Sequence, residues 1–394
     1  MKKILIFSLA YAPYWGGAEI ALKEITTRLG GEFSFDIITP RFNSELPWFE
    51  QVGNVRVYRV GFSKKNPTDK DLVSFPLYFA KVFYPLFAFL KAISLHRKNR
   101  YDALWAMMAY AGFPVVFFGF FHPNVPYLLS LQEGDPISHM VGRWRIRIVY
   151  PLLRLVFVRA RAVQAISSYL AEYARHMGFR GQVSIVPNGV DIKKFKIESL
   201  KLEAQSLRKK LRISEGDKIL ITTSRLVEKN AVDDSIKALA HLPPSVKLLV
   251  AGAGPDEAVL KTLVEKSGLE KRVLFLGHIA YEDLPSYYAA ADIFVRPSLS
   301  EGMGISFIEA MAAGLPVIGT AVGGITDFLK HRETGFMCEA RNPESVAEQR
   351  RFILGPENQE IVGRIVKNAK ALAEKNYDWD VVARSMEGIF HQIT

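Results

Sequence analysis

Pro297-Ser298-Leu299-Ser300-Glu301-Gly302-Met303-Gly304-Ile305-Ser306-Phe307-Ile308-Glu309-Ala310-Met311-Ala312-Ala313-Gly314-Leu315-Pro316-Val317-Ile318-Gly319 is the stretch on which the reading of this chain turns. An apolar run, Ile293 to Val295, enters it as a strand, and a Pro/Ser/Gly loop follows. Ile305, Ile308, Met311 and Ala312 then recur at helical spacing until Gly314 ends the turn. Glu301 is therefore expected in the loop and Glu309 on the helix. The open amides of that helix's first turn, with the positive end of its dipole, suit a polar or anionic ligand. Gly302 and Gly304 let such a ligand come close to the backbone.

Outward from this stretch the pattern repeats. Strands are expected at Lys218 to Thr223, Lys247 to Ala251, Val273 to Leu276 and Pro316 to Gly319, separated by helical periodicity. This alternation predicts a parallel sheet covered on both faces. Loops rich in glycine follow the strands: Gly252-Ala253-Gly254-Pro255 and Gly277-His278. The loop Ser224-Arg225-Leu226-Val227-Glu228-Lys229-Asn230 puts two cations at the carboxyl end of a strand, where open α/β sheets bind ligands. There they could neutralise a diphosphate, Arg225 by bidentate contact.

The first half shows the same grammar. A buried strand leads into Tyr11-Ala12-Pro13-Tyr14-Trp15-Gly16-Gly17-Ala18-Glu19 and an amphipathic helix carrying Ile20, Ala21, Leu22, Ile25 and Leu29. The apolar run after Met1 is only about seven to nine residues, short for a signal core, and is read as that first strand. The loop lacks the G-x-G-x-x-G of dinucleotide binders. Further strands are expected at Ser34 to Ile38, Val55 to Val60, Tyr127 to Leu131 and from Val183 toward the Asn188-Gly189 turn. The aromatic segment Leu72 to Leu95 carries Pro76, Lys81, Pro85 and Lys91, which argues for buried helices or a lid touching lipid rather than a membrane span. A Lys-rich stretch from Lys193 to Lys210 marks the domain boundary, giving domains at 1–192 and 193–377, with a last helix at 378–394 expected to return to the first.

Composition bounds the function. The 394 residues are 49% apolar, enough for two cores, and the single Cys338 excludes an internal disulfide. The net charge of +11 is uneven: residues 1–192 hold 23 Lys and Arg against 13 Asp and Glu, the remainder 28 against 27. An anionic partner of the first domain fits this, whether membrane surface, phosphorylated lipid or nucleic acid. No RNA or zinc-finger motif accompanies the charge, so nucleic acid ranks last. Arg143, Arg147, Arg154 and Arg161 fall within about 40° at 100° per residue, amid Leu152, Leu153, Val156 and Phe157. That stripe is either the wet face of a core helix or an element lying in a membrane interface. Asp378-Trp379-Asp380 reads as helix capping around a packed Trp, and His122, His139 and His278 lack metal-ligand spacing.

With these motifs assembled, the chain resembles the retaining glycosyltransferases of family 4, the glycosyl transferases group 1. The resemblance is carried by Gly16-Gly17-Ala18-Glu19, Pro187-Asn188-Gly189-Val190-Asp191, Ser224-Arg225-Leu226-Val227, Gly252 to Pro255, Gly277, and Glu301 with Glu309. It implies an α/β GT-B fold, two Rossmann-like domains with parallel sheets facing across a cleft. It also implies that a nucleoside diphosphate sugar is held mainly by the second domain and that its sugar passes to a hydroxyl with retention. In that reading Arg225 and Lys229 bind the diphosphate, Glu309 the ribose, and Glu301 with the amides of Gly302, Met303, Gly304 and Ile305 the donor sugar. His278 and Ile279 border the base, and Gly16 and Gly17 meet phosphate from the first domain. No metal or other cofactor is expected, the acceptor being lipid-linked or a polysaccharide precursor and the setting cytoplasmic, at the inner face of a membrane if the arginine stripe binds one.

The sequence also departs from the family. Gln132 and Glu133 stand where many relatives carry a histidine, and Asn230 where many carry the lysine. Glu133 or Asp135 is either a base for the acceptor or a structural cap. Two other readings share the fold: a non-catalytic nucleotide-sugar-binding scaffold, and an epimerase. A phosphorylase would need a pyridoxal-binding lysine motif that this sequence does not show.

Overall fold

The computed structural model describes residues 1–134, 144–195 and 200–394, with backbone only at 69, 70 and 144–147. Two compact units emerge: Met1–Asn188 with Trp379–Thr394, and Gly189–Asp378.

Unit 1 is built on an eight-stranded sheet: β1 (Lys2–Phe7), β2 (Phe33–Pro40), β3 (Phe49–Val52), β4 (Val55–Val60), β5 (Ala103–Met107), β6 (Tyr127–Leu131), β7 (Ala162–Ala165) and β8 (Val183–Ile185). Its order is β3-β4-β2-β1-β5-β6-β7-β8. Every pairing is parallel except that of the edge strand β3 with β4. The helices of this unit are α1 (Gly17–Leu29), α2 (Leu77–Asn99), α3 (Gly112–Phe121), α4 (Trp144–Val158) and α5 (Ser168–His176). Strands β5 and β6 are buried throughout and β1 from Ile4 onward, as the near-continuous apolar runs of a sheet covered on both faces require.

The C-terminal helix, Trp379–Ile393, belongs to unit 1. Phe390 from that helix packs against Phe33 and Phe35 of β2 and Trp105 of β5, at ring centroid distances of 5.5, 6.1 and 5.1 Å. Trp379 is buried in the same core, and Asp380 pairs with Arg28 of α1 at 2.7 Å. Strand alternation sends the other set of side chains to the opposite face. There Tyr84 of α2 is buried and donates its hydroxyl to the Ile38 carbonyl of β2, 3.0 Å away.

Unit 2 contains a six-stranded parallel sheet: β9 (Lys218–Thr223), β10 (Val246–Ala251), β11 (Val273–Gly277), β12 (Ile293–Arg296), β13 (Val317–Thr320) and β14 (Phe336–Cys338). The helices, continuing in chain order, are α6 (Lys201–Lys210), α7 (Val232–Ala238), α8 (Glu257–Lys266), α9 (Leu284–Ala290), α10 (Ile305–Ala312), α11 (Pro343–Leu354) and α12 (Gln359–Asn376), so the C-terminal helix of unit 1 is α13. Strand order is β11-β10-β9-β12-β13-β14. Successive strands build outward from β9 on one side and from β12 on the other. The order thus reverses between β9 and β12, and the crevice beyond their carboxyl ends is the ligand position of an open α/β sheet.

One expectation for the arginine stripe is corrected. Helix α4 ends at Val158, so Arg161 lies beyond it, and its amide donates instead to the Tyr127 carbonyl at the entry to β7. The other residues divide: Arg154 is exposed, Arg143 lies outside the described residues, and so does the side chain of Arg147. Leu153, Val156 and Phe157 are buried. His122 packs with its ring tilted 4.6 Å from His96 and 4.7 Å from Phe118, a packing role, while His139 lies outside the described residues.

Candidate functional site

The loops after β9 and β12 flank the reversal point of unit 2, and backbone bonds tie them together. The Leu299 amide donates to the Lys229 carbonyl at 2.7 Å, joining one loop to the other. The side chain of Asn230 donates to the Arg225 carbonyl at 2.6 Å, which folds the cationic loop back on itself. Arg225 is left exposed and Lys229 half-buried at the carboxyl end of β9.

Glu301 is 7% exposed and is held by Arg296, the last residue of β12. The same guanidinium donates to Ser306 Oγ on α10 at 2.7 Å and to Asn230 Oδ1 at 3.2 Å. One buried cation therefore links the strand end, both loops and the helix. Ser298 adds a bond to Glu301 at 3.3 Å. The Glu301 carbonyl accepts from the Gly324 amide at 3.0 Å. Gly323, at φ +51°, leaves room for this: a Cβ there would stand 2.0 Å from the Glu301 carbonyl oxygen. Gly302 to Gly304 are buried, and Gly304 at φ +92° turns the chain into α10.

Glu309, 6% exposed, projects from α10 and accepts from the Tyr288 hydroxyl of α9 at 2.9 Å. That hydroxyl also lies 2.7 Å from Thr223 Oγ1 at the end of β9. Burial pushes the Glu309 carboxyl up from 4.5 to about 7, against the smaller opposing effects of Tyr288 and Arg296. The native state consequently holds a proton that the unfolded chain has released between these values. The stability from this group is fully present below pH 4.5 and is lost as pH rises through about 7. The melting temperature of the native chain minus that of Glu309→Gln should therefore shrink as pH rises across this window; a constant difference would contradict the assignment.

The remaining expected residues divide between the units. His278 is exposed and Ile279 half-buried just past β11, on unit 2. Gly16 and Gly17 open α1 on unit 1, where the Gly16 amide is already taken by Glu19 at 2.9 Å. Glu133 is buried, and its two oxygens accept from the Ala109 amide at 2.7 Å and the Gln132 amide at 2.9 Å. Desolvation raises its pKa. Those bonds pin the loops after β5 and β6. Asp135 lies outside the described residues. Gln132 exchanges two amide hydrogen bonds with Asn188, at 2.9 and 2.7 Å, so the start of the Pro187–Asp191 motif is anchored by the loop after β6. Cys338 is buried, with its thiol pushed up to about 12 by desolvation, and is unreactive at neutral pH.

Sequence reasoning missed Arg296, Tyr288 and Thr223. Arg296 left a signal, since a charge ending a buried strand needs a partner and Glu301 stands five residues on. Tyr288 left none, because nothing in the local sequence says which face of a seven-residue helix meets α10.

Comparison with known proteins places the chain. The family pattern described as "Glycosyl transferases group 1" matches residues 203–379, and that of a "Glycosyl transferase 4-like domain" matches residues 16–189. The chain belongs to this glycosyltransferase family and is a transferase of the GT-B fold. It is similar to an uncharacterised glycosyltransferase of Methanocaldococcus jannaschii, 26% identical across 98% of this chain and 97% of the relative. It also resembles a GDP-mannose-dependent phosphatidylinositol monomannoside mannosyltransferase of Mycobacterium tuberculosis, 31% identical; that match spans 54% of this chain and 57% of the relative. Among solved structures, an Anabaena protein in complex with UDP-glucose shares the fold, with a TM-score of 0.77, 22% identity and full coverage of both chains.

Proposed function

We propose that this chain transfers a sugar, with retention at the anomeric carbon, from a nucleoside diphosphate sugar to a hydroxyl of a lipid-linked or saccharide acceptor. The carrying observation is the pair of buried carboxylates, Glu301 and Glu309, set with Arg225 and Lys229 at the reversal point of unit 2. Glu309 accepts from the ribose hydroxyls. Glu301, oriented by Arg296, faces the donor sugar with the amides of Gly302 to Ile305, and His278 and Ile279 border the base.

The bond from the anomeric carbon to the diphosphate breaks as a bond to the acceptor oxygen forms. Negative charge grows on the departing phosphate, so Arg225 and Lys229 act where charge develops, the largest kind of catalytic term a protein supplies. Retention places acceptor and leaving group on one face, and the acceptor proton can pass to the departing phosphate oxygen. This accords with Gln132 and Glu133 being occupied by structural hydrogen bonds. No nucleophilic role is assigned to Glu301, whose carboxylate is engaged by Arg296. The chemistry calls for no metal and no further cofactor. The lipid-linked acceptor draws support from the mycobacterial relative, whose name specifies a phosphatidylinositol monomannoside. It implies a cytoplasmic protein peripheral to a membrane, active in polysaccharide or glycolipid assembly.

The competing reading is a scaffold that binds donor without transfer. Incubating the full chain with uridine, guanosine and adenosine diphosphate sugars, with and without membrane extract, separates the two. Release of nucleoside diphosphate coupled to a glycosylated, extractable product supports the proposal. Donor binding with no turnover under any condition overturns it in favour of the scaffold.

A further inference from the structure

Helix α2 is apolar on two opposite sides. Its inward stripe is Leu77, Ala80, Tyr84, Ala88, Ala92 and Leu95, all buried. At 100° per residue, Phe79, Val82, Phe83, Leu86 and Leu90 fall about 180° from that stripe, yet they are 41–55% exposed. Phe75, 76% exposed, extends the ridge before the helix. Ring centroids step along it, 5.9 Å from Phe75 to Phe79 and 6.0 Å from Phe79 to Phe83. Scattered apolar side chains are ordinary on a protein surface, but a continuous aromatic ridge marks an interaction site.

The charge around the ridge selects its occupant. Residues 72–101 contain Lys81, Lys91, Arg97, Lys98 and Arg100 and no Asp or Glu. Toward α3, the Phe89 ring lies tilted 5.5 Å from that of Phe121, and the neighbouring exposed Phe120 carries Arg159 at 4.4 Å over its ring. Lys81 and Lys91 lean toward the buried side, Lys91 over the Tyr58 ring at 4.9 Å, while Arg97 falls on the ridge's own side at 100° per residue and Arg159 stands beside Phe120. Aromatic side chains flanked by cations in a segment free of acids suit the interface of an anionic bilayer, where rings sit at headgroup depth and Lys and Arg meet lipid phosphates. A second copy docked on the same ridge would bring like charges together.

The helix is also the one described element long and apolar enough to cross a membrane. Its inward stripe and the Tyr84 bond to β2 commit it to the core of unit 1. It can therefore lie on a bilayer without leaving the fold.

We infer that the outward face of α2, from Phe75 to Leu90, is a docking surface for an anionic lipid bilayer. This rests on the peripheral part of the proposed function but not on the transfer chemistry. A chain that turns over donor and ignores vesicles overturns the surface alone; one that binds vesicles without turnover leaves the surface standing and overturns the reaction alone.

The test is co-sedimentation of the full chain with vesicles of phosphatidylcholine alone or mixed with phosphatidylglycerol. Binding to the mixed vesicles is expected, weakening as salt rises. Phe79→Ser/Phe83→Ser/Leu86→Ser should lower the partition coefficient by about tenfold or more, since each half-exposed side chain gives up apolar burial in the bilayer. Melting of the triple variant like the parent shows that the fold is kept. Independently, Phe79→Trp should blue-shift in emission on adding mixed vesicles. Partition unchanged by the triple substitution, a parent left in solution with both vesicle types, or a dimer whose loss by the same substitutions leaves vesicle binding intact would each overturn the inference.

Discussion

Arg296→Met is expected to lower the melting transition of unit 2 by about 10 °C, because a buried carboxylate that loses its cation costs about 3–5 kcal/mol and each kcal/mol moves a domain of this size by about 2–4 °C. Arg296 is buried and holds Glu301, Ser306 and Asn230 together. Methionine fills much of the volume and supplies none of the donors, so Glu301 is stranded among buried neighbours. Glu301→Gln placed on top of Arg296→Met removes the stranded charge and should recover a large part of the loss. That non-additivity is the signature of a coupled pair. Independent losses that simply add would mean that the two side chains are not energetically linked.

Arg225→Ala should behave in the opposite way, leaving the melting temperature near that of the parent while kcat/KM falls by about 10²–10³, the range for removing one preorganised group from a developing anion. The side chain is exposed, so the fold does not depend on it. Lysine at this position keeps the charge and loses the planar fork, and Arg225→Lys should fall between parent and alanine. Loss concentrated in kcat would place Arg225 on the departing phosphate. A rise in KM alone would place it on ground-state binding.

How much of this was legible beforehand depended on the physics of each segment. The strands of unit 2 around the site could be read from unbroken β-branched and aromatic apolar runs, Ile219-Leu220-Ile221 and Ile293-Phe294-Val295: β9 was expected over the residues it occupies, and β12 to within one residue. Strand β5 was not expected, because Ala103-Leu-Trp-Ala-Met107 has no β-branched residue and is held by its place between β1 and β6. Strand β7, Ala162-Val-Gln-Ala165, has one β-branched residue beside a Gln, and β14 is three residues long, so neither gives an apolar run that stands out. In the site, Glu301 on a loop and Glu309 on a helix could be placed from local pattern alone. Their supports come from elsewhere: Tyr288 of α9 bonds Glu309 and is itself held by Thr223 of β9, while Asn230 of the cationic loop accepts from the Arg296 that holds Glu301, and all of these meet only through tertiary packing. Glu133 was left open between base and cap, and both of its oxygens are now seen on backbone amides.

The central claim is that unit 2 carries the donor site, and calorimetric titration tests it most directly. Uridine, guanosine and adenosine diphosphate sugars are titrated into the full chain and into the Arg225→Ala and Glu309→Ala variants. The expected result is saturable binding of at least one donor to the parent, weakened about tenfold or more in each variant, as loss of a charge-assisted hydrogen bond of about 1.5–3 kcal/mol requires. Binding of equal strength in parent and both variants would contradict it, as would a folded parent that binds none of the three donors.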